Sequence, residues 1–380
     1  MSVFINRSVL NKGWGAFYIM HGERHVATVR ENGDCTVYFP SFMPYSLYLE
    51  KPETGDLDAR MNNLSNFYHW CSSRVLTLDR KYAKEIMNSI GASQSDSDKD
   101  RAAIAISYHG LCLTDIYWIR GKGEQLRFSD ISLYTHSLSD SFASVSLGGK
   151  QLTAQNSELL TPSDAAGDVG TNGVAPKAWK READGTGFCL LKDGDPRDVE
   201  AELLASKIAG CFAVDQVEYR RAEFEGKTVS ESRIITSEKT GIVSMEYISL
   251  YCLNRNTDAI GFVLSKDRYS YYMMNVIDYL VGNTDRHPAN WGFTVDNTTN
   301  RLQKLHPLMD FNKAFLSYDT DEGARCQTVN GSVSQKDAAI TAVRKVGLNQ
   351  IREVRGEWFE DNRIHQMFFR RLNILKQVTQ

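Results

Sequence analysis

Gly282-Asn283-Thr284-Asp285-Arg286-His287-Pro288-Ala289-Asn290-Trp291-Gly292-Phe293 follows a stretch, Tyr271 to Val281, whose apolar residues Met274, Ile277 and Val281 lie on one helical face. A polar, Pro-containing loop therefore starts where a helix ends. Downstream, Trp291 to Val295 and Arg301 to Leu305 read as strands around the turn residues Asp296-Asn297, a hairpin that returns the chain to where it began. The next segment, His306-Pro307-Leu308-Met309-Asp310-Phe311-Asn312, then brings a carboxylate, Asp310, back beside Asn290.

Outward from this stretch the pattern is ordered. Upstream, Lys177 to Arg181 and Phe188 to Lys192 read as short strands joined by Asp184-Gly185, and Asp195-Pro196 opens a helix running to Cys211. Gln216 to Phe224 and Lys227 to Ile235 flank Glu225-Gly226 as a second strand pair, and Met245 to Ile248 closes the last strand before a helical region. The stretch Ser157 to Pro176 is rich in Ser, Gly, Asp, Thr and Pro and reads as a linker or a loop. Residues 1 to about 50 alternate apolar and polar positions with Asn32-Gly33 as a turn, and helical spacing follows from Asp58 to Gly91 and Asp100 to His109. At the far end, Ala338 to Lys376 predicts two or three packed helices.

The residue types carry a chemistry. Asp285 and Asn290 stand at the Asp-x-x-x-x-Asn spacing of a phosphoryl-transfer loop, in which the Asp meets the acceptor hydroxyl and the Asn holds Mg²⁺. Asp310 adds a second metal ligand, so Asp285, Asn290 and Asp310 are the predicted catalytic set, with Asn290 and Asp310 on the metal. Lys192, at the end of an apolar strand, is expected to grip phosphates and Glu202, on the following helix, to orient it. Gly173 and Lys177 belong to a Gly-containing segment whose backbone N–H groups can approach phosphates closely. Glu246 and Tyr247 are expected at a hinge facing adenine. The cofactors implied are ATP and Mg²⁺. Fold class follows as α+β: a bilobal protein-kinase-like fold with a β-rich N-lobe over 151–250 and a helical C-lobe over 251–380, preceded by an accessory α/β domain over 1–150.

Each residue also has a plainer reading. Asp285-Arg286 fits a surface ion pair worth about 0 to 1 kcal/mol, His287 a structural histidine, Lys192 a lysine snorkelling from a strand end, and Glu202 a solvated helix charge. The order of the whole set favours the chemical reading.

These residues resemble the HipA-like serine/threonine kinases of bacteria. The resemblance rests on GNTDRHPANWGF followed by LHPLMDFN, on AELLASKIA after the strand FCLLK, and on NGVAPKAWK before it, spanning about Asn172 to Phe315. The accessory segments WCSSRVL and LCLTDIYWIR are similar to those preceding the kinase core in HipA-type proteins of Firmicutes. By position the resemblance implies Asp285 as catalytic base, Asn290 and Asp310 as Mg²⁺ ligands, and Lys192 with Glu202 as the phosphate-binding pair. It implies a protein substrate with a Ser or Thr acceptor. A separate antitoxin-like, DNA-binding partner is expected by analogy, because this chain has no helix-turn-helix signal. Some toxin members autophosphorylate a phosphate-loop serine; Thr171 is the nearest residue here, with Ser146-Leu147-Gly148-Gly149-Lys150 a competing loop.

Composition narrows the alternatives. The chain has 380 residues, 42% hydrophobic and 24% charged, which predicts a globular protein of more than one domain. A net charge of −3 gives no global pull on nucleic acid or anionic lipid. Seven scattered cysteines with no CxxC pair predict reduced thiols rather than disulfides or zinc. No signal peptide or membrane-length apolar run is seen, so a cytoplasmic location with no membrane partner is expected. The rival functions are a phosphoinositide or small-molecule kinase, and a nucleotide-binding pseudokinase or scaffold.

Overall fold

In chain order short strands alternate with helices up to residue 305, and helices predominate after it. A computed structural model describes residues 15–378 except 91, 93, 95, 96, 137–139, 151–166, 168, 172, 183–186, 193, 194 and 317. Most of the Ser157 to Pro176 loop and the Asp184-Gly185 turn lie outside the described residues. The chain is a mixed α/β protein with antiparallel strand pairs. It divides into two compact units: Met1–Lys192 with Thr236–Gly241 and Asp296–Arg301, and Asp193–Ile235 with Ile242–Val295 and Leu302–Gln380.

The first unit is built on β1 (Ala16–His21), β2 (Arg24–Arg30), β3 (Cys35–Val37) and β4 (Tyr117–Gly121), in the order β3-β2-β1-β4. Asn32 Oδ1 accepts the Asp34 N–H at 3.0 Å in the β2–β3 turn, so an Asx-type bond supports the Asn-Gly reversal. Helix α1 (Leu57–Ser72) packs on α3 (Asp98–Ser107), with α2 (Ala83–Ser89) between them in sequence. Phe17 of β1 stacks on Phe67 of α1 at 5.3 Å, and both are buried with Trp70 and Trp118. Residues 140–148 form α4 (Asp140–Gly148), so Ser146 is a buried helical residue and the competing phosphate loop expected there is corrected. Strands β5 (Lys177–Arg181) and β6 (Phe188–Lys192) pair antiparallel, with Lys177 opposite Lys192.

The second unit opens with α5 (Pro196–Ala209), where Asp195 accepts the Arg197 N–H at 2.9 Å as N-cap and Pro196 takes the first turn. The β7 (Tyr219–Phe224) and β8 (Lys227–Arg233) hairpin turns on Glu225 and Gly226, both with positive φ, the geometry that matches strand twist. Strands β9 (Thr240–Ser244), β10 (Gly292–Asp296) and β11 (Arg301–Leu305) form a sheet ordered β11-β10-β9.

Met245 to Ile248 is helical rather than a strand end. Ser244, with extended backbone angles, ends β9, and α6 (Met245–Leu253) follows it directly, with Met245, Ile248 and Cys252 buried on one helical face. Helix α7 (Ala259–Val281) also starts earlier than the apolar spacing suggests. It is two helices merged across Asp267, whose Oδ1 accepts the Ser270 N–H at 3.0 Å and Oδ2 the Leu305 N–H at 2.9 Å. Its second half is the core of the unit, with Met273, Met274, Val276, Ile277, Leu280 and Val281 buried. Helices α8 (Gln335–Val346) and α9 (Asn362–Val378) pack against it. All seven cysteines are buried free thiols. Among the described residues no helix is long and apolar enough to cross a membrane.

Candidate active site

The end of α7 dictates the loop after it. Gly282 takes the left-handed conformation (φ 61°, ψ 39°), and a Cβ there would stand 2.5 Å from the Tyr318 ring, so both backbone and space demand glycine. Asp278, one turn earlier, then organises the loop. Its carboxylate accepts from Asn283 Nδ2 at 3.2 Å and from Arg286 Nε and Nη2 at 3.0 Å each. Asn283 Oδ1 accepts the Asp285 N–H at 3.2 Å, and Gln335 of α8 donates to the Asn283 carbonyl at 2.6 Å. Arg286 is only 2% exposed, so its pairing as a surface ion with Asp285 is corrected: it is an internal strut on Asp278.

That strut joins two segments. Arg286 Nη1 donates to the Asn290 carbonyl at 3.1 Å and to the Met309 carbonyl at 2.6 Å, and the guanidinium lies 5.2 Å from the Phe311 ring centre. The backbones next to the predicted Asn290 and Asp310 ligands are thus tied to one side chain. Burial works against the guanidinium charge, but the Asp278 carboxylate outweighs it and the pKa stands above the ordinary arginine value. The pair resists dissociation because each charge lacks any other way to be neutralised.

Asn290 is buried, and its Nδ2 donates to the Asp285 carbonyl at 2.8 Å. That bond fixes the amide orientation and leaves Oδ1 as an acceptor with no hydrogen bond among the described residues. Asp310 sits at φ 60°, an unfavourable conformation for a non-glycine residue. The peptide group that precedes it is held at both ends, its Met309 carbonyl by Arg286 and its Asp310 N–H by the Tyr219 hydroxyl oxygen at 3.1 Å. Asp285 has a half-exposed carboxylate. His287 Nε2 stands 3.9 Å from Asp285 Oδ1, too far for a hydrogen bond, while His287 Nδ1 accepts the Ala289 N–H at 3.3 Å. His306, buried beneath this region, has its pKa lowered to about 4, by burial first and by Arg286 as well, against its bond to the Pro307 carbonyl.

The other predicted residues are distributed over both units. Glu202 is 1% exposed on α5 and accepts from Ser230 Oγ at 2.6 Å, so it is a buried acid and not a solvated helix charge. In the first unit, Lys192 and Lys177 are both buried and are cross-strand partners. Gly173 has φ 103°, and a Cβ there would run into the Lys177 ammonium. Glu246 and Tyr247 lie in the first turn of α6, and the Glu246 N–H donates to the Pro288 carbonyl at 3.1 Å. They therefore open a helix directly after β9 instead of closing the strand.

Three positioning residues escape sequence reasoning. Arg286 reads as a surface charge because its partner is eight residues away on the preceding helix. Arg80 donates to the Thr171 carbonyl at 3.0 Å and to the Lys177 carbonyl, bracing both ends of the Gly173 segment from a loop some ninety positions upstream. Tyr219, on β7, has no motif around it. For Arg286 the available signal was local: an arginine next to a loop aspartate, with Asp278 two helical turns back on the buried face.

Among the described residues no group of three or more His, Cys, Asp or Glu could hold a metal ion. No family model and no curated protein matches the chain. Among solved structures, the crystal structure of a Helicobacter pylori proinflammatory kinase CtkA is similar over 53% of this chain and 92% of that one, at 14% identity and a TM-score of 0.41. A likeness of that degree does not assign a function.

Proposed function

We propose that the chain is an ATP- and Mg²⁺-dependent kinase that transfers a phosphoryl group to a Ser or Thr hydroxyl of a protein substrate. The observation that supports this best is the single guanidinium of Arg286 on the carbonyls of Asn290 and Met309, because it draws the Asp285–Asn290 loop and the Asp310 segment together. Asn290 Oδ1 and the Asp310 carboxylate are the donors for Mg²⁺. Two protein oxygens suit this ion, which keeps several waters and takes its remaining ligands from phosphates. When bound, Mg²⁺ and the nucleotide supply charge neutralisation and the transferable group.

The chain's own residues position. Asn283 fixes the Asp285 N–H and Asn290 the Asp285 carbonyl, so the carboxylate is presented from a backbone held on both sides. There it accepts the proton of the acceptor hydroxyl. Arg286 and Tyr219 hold the peptide group before Asp310, whose φ of 60° is uncommon for a non-glycine residue, and this supports a carboxylate set before any ligand arrives. In the first unit, Lys177, Lys192 and the Gly173 segment are the phosphate-binding candidates. A protein acceptor is favoured over a lipid headgroup because the cations after Asp310 are already engaged: Lys313 pairs with Asp198 at 2.6 Å, and Arg325 donates to the Gly331 carbonyl at 3.2 Å.

The test is phosphoryl transfer from labelled ATP to lysate proteins, lipids and aminoglycosides by wild type and Asp285→Asn. Transfer to protein Ser or Thr is expected to fall by about 10²–10⁴-fold in the variant while ATP binding is kept. Equal transfer by the two proteins overturns the role of Asp285, and transfer to small molecules alone overturns the substrate class.

A further inference from the structure

The carbonyls of a helix's last turn find no N–H four residues on, and must be answered from elsewhere. At the end of α7 the chain after Asp310 answers them. The Val281 carbonyl accepts the Phe315 N–H at 2.8 Å, and the Leu280 carbonyl accepts from the Tyr318 hydroxyl. The Tyr279 carbonyl accepts from Arg371 Nη1 at 2.7 Å besides the Gly282 N–H at 3.2 Å, while Arg371 Nη2 donates to the Thr320 carbonyl at 2.8 Å. One guanidinium of α9 therefore spans the end of α7 and the segment that leads away from Asp310. Beyond Gly282 the grip continues, because Gln335 holds the Asn283 carbonyl and Gln327 Nε2 donates to the Thr284 carbonyl at 2.9 Å. From Tyr279 to Thr284 every carbonyl but that of Gly282 is thus held from residues 315–335 or from Arg371, and the Asp285 N–H follows through Asn283.

Arg371 is the unusual member of this set. It is fully buried, yet among the described residues no carboxylate pairs with it: Asp321, the nearby acid, pairs with Arg370 at 2.6 Å, and Arg371 Nε has no partner. Its guanidinium lies 4.2 Å from the Tyr318 ring centre and 5.0 Å from that of Tyr279, and burial pushes its pKa below the ordinary arginine value. A buried cation without a counter-ion is destabilising, and an apolar side chain would fill the space without that cost. What the arginine adds is a planar fork, one prong on the negative end of α7 and the other on the next segment. Strain points to the same place. Phe315, like Asp310, has a positive φ, here 62°, an outlier for a bulky side chain, and its N–H bond to Val281 and the edge-on Tyr318 ring at 5.3 Å hold it there.

We propose that Arg371 is a positioning residue for Asp285: its fork clamps the end of α7 to the segment carrying Tyr318 and Thr320, and so fixes the turn from which the Asp285 loop springs. The role toward Asp285 rests on the reading of that carboxylate as the base of a kinase; the clamp itself does not.

Hydrogen–deuterium exchange on the full chain reads the clamp without any substrate. In Arg371→Met the amides of Asn283, Thr284 and Asp285 should exchange about tenfold or more faster, while those of α5, the reference for global loosening, change by no more than about twofold. Arg371→Lys keeps the charge but not the fork, so it should speed the same amides by about threefold, and it carries the test if Arg371→Met does not fold. Unchanged exchange at these amides in the Lys variant, or an equal rise in α5, overturns the clamp. For the chemistry, Arg371→Lys should lower kcat for phosphoryl transfer by about tenfold at unchanged ATP affinity, and by no more than about twofold when added to Asp285→Asn, because displacing a base matters only where the base is present. A loss of the same size in both backgrounds overturns the action through Asp285. Wild type without transfer to any acceptor breaks the kinase reading and the role toward Asp285 with it, while exchange still judges the clamp.

Discussion

Each unit contains a buried arginine in a two-pronged pair with an aspartate, and each uses its remaining donors on backbone carbonyls. In the first unit Arg74 meets Asp115 at 2.8 and 3.0 Å and donates to the carbonyls of Gly110 and Tyr117. In the second, Arg286 meets Asp278 and donates to the carbonyls of Asn290 and Met309. Both are buried, and in both the neighbouring carboxylate outweighs burial and raises the guanidinium pKa. The difference lies in what is tied. Arg74 closes the turn between α3 and β4, where no residue of the candidate site lies. Arg286 fastens the peptide groups on which Asn290 and Asp310 depend. One construction therefore ties a turn in one place and, in the other, the loop that the proposed kinase reading makes catalytic.

Breaking each strut separates these roles. Arg286→Met leaves Asp278 buried without a partner and frees both carbonyls, so stability should fall by about 3–5 kcal/mol and phosphoryl transfer by about 10²-fold or more. The sharper variant is Asp278→Leu/Arg286→Met, in which an apolar pair replaces the ions: denaturation should recover much of the lost stability while transfer stays low. Recovery of both together would mean that Arg286 acts only on folding. Arg74→Met should bring a similar loss of about 3–5 kcal/mol in denaturant unfolding, with the rate of transfer per folded molecule unchanged. A rate loss in that variant matching the one in Arg286→Met would erase the distinction between the two struts.

The two struts also show what sequence can and cannot reveal. Elements set by local rules were legible: the strands of the 177–192 and 219–233 hairpins, the Asp195-Pro196 start of α5, and the 292–305 hairpin all follow alternation, capping and turn residues. Asp285, Asn290 and Asp310 stand out in the sequence by a fixed spacing and a short hairpin, and Arg286 ties the backbone at Asn290 to that before Asp310. Where competing local signals met, the reading failed. Met245 to Ile248 reads as the close of a strand, but β9 ends at Ser244 and the next turn is helical, with Met245, Ile248 and Cys252 buried on one face. Arg74 and Arg80 were illegible for another reason, since their acceptors lie some forty to ninety residues away and an arginine's burial depends on packing that no window of sequence contains.

The smallest expected effect is one that the two units share, and acid reveals it. His21 on β1 and His306 after β11 both have pKa values lowered to about 4, in each case chiefly by burial. Arg24 lowers His21 further while Asp115 opposes it; Arg286 lowers His306 further while the Pro307 carbonyl opposes it. Above about pH 6.5, the unfolded histidine value, neither state binds a proton and neither residue affects stability. Between there and about pH 4 only the unfolded chain takes up the proton, so stability falls as pH falls, by about 2 kcal/mol per histidine at pH 5. Below about pH 4 the folded form also protonates and the loss levels off. Denaturation at pH 7.5 and pH 5 should show a smaller acid loss in His21→Gln and in His306→Gln than in wild type, each by about 2 kcal/mol. Because both folded histidines stay neutral down to about pH 4, transfer per folded molecule at pH 5 should be the same in His21→Gln, His306→Gln and wild type. An acid loss unchanged by either substitution would mean that these histidines titrate in the folded chain as they do in the unfolded one.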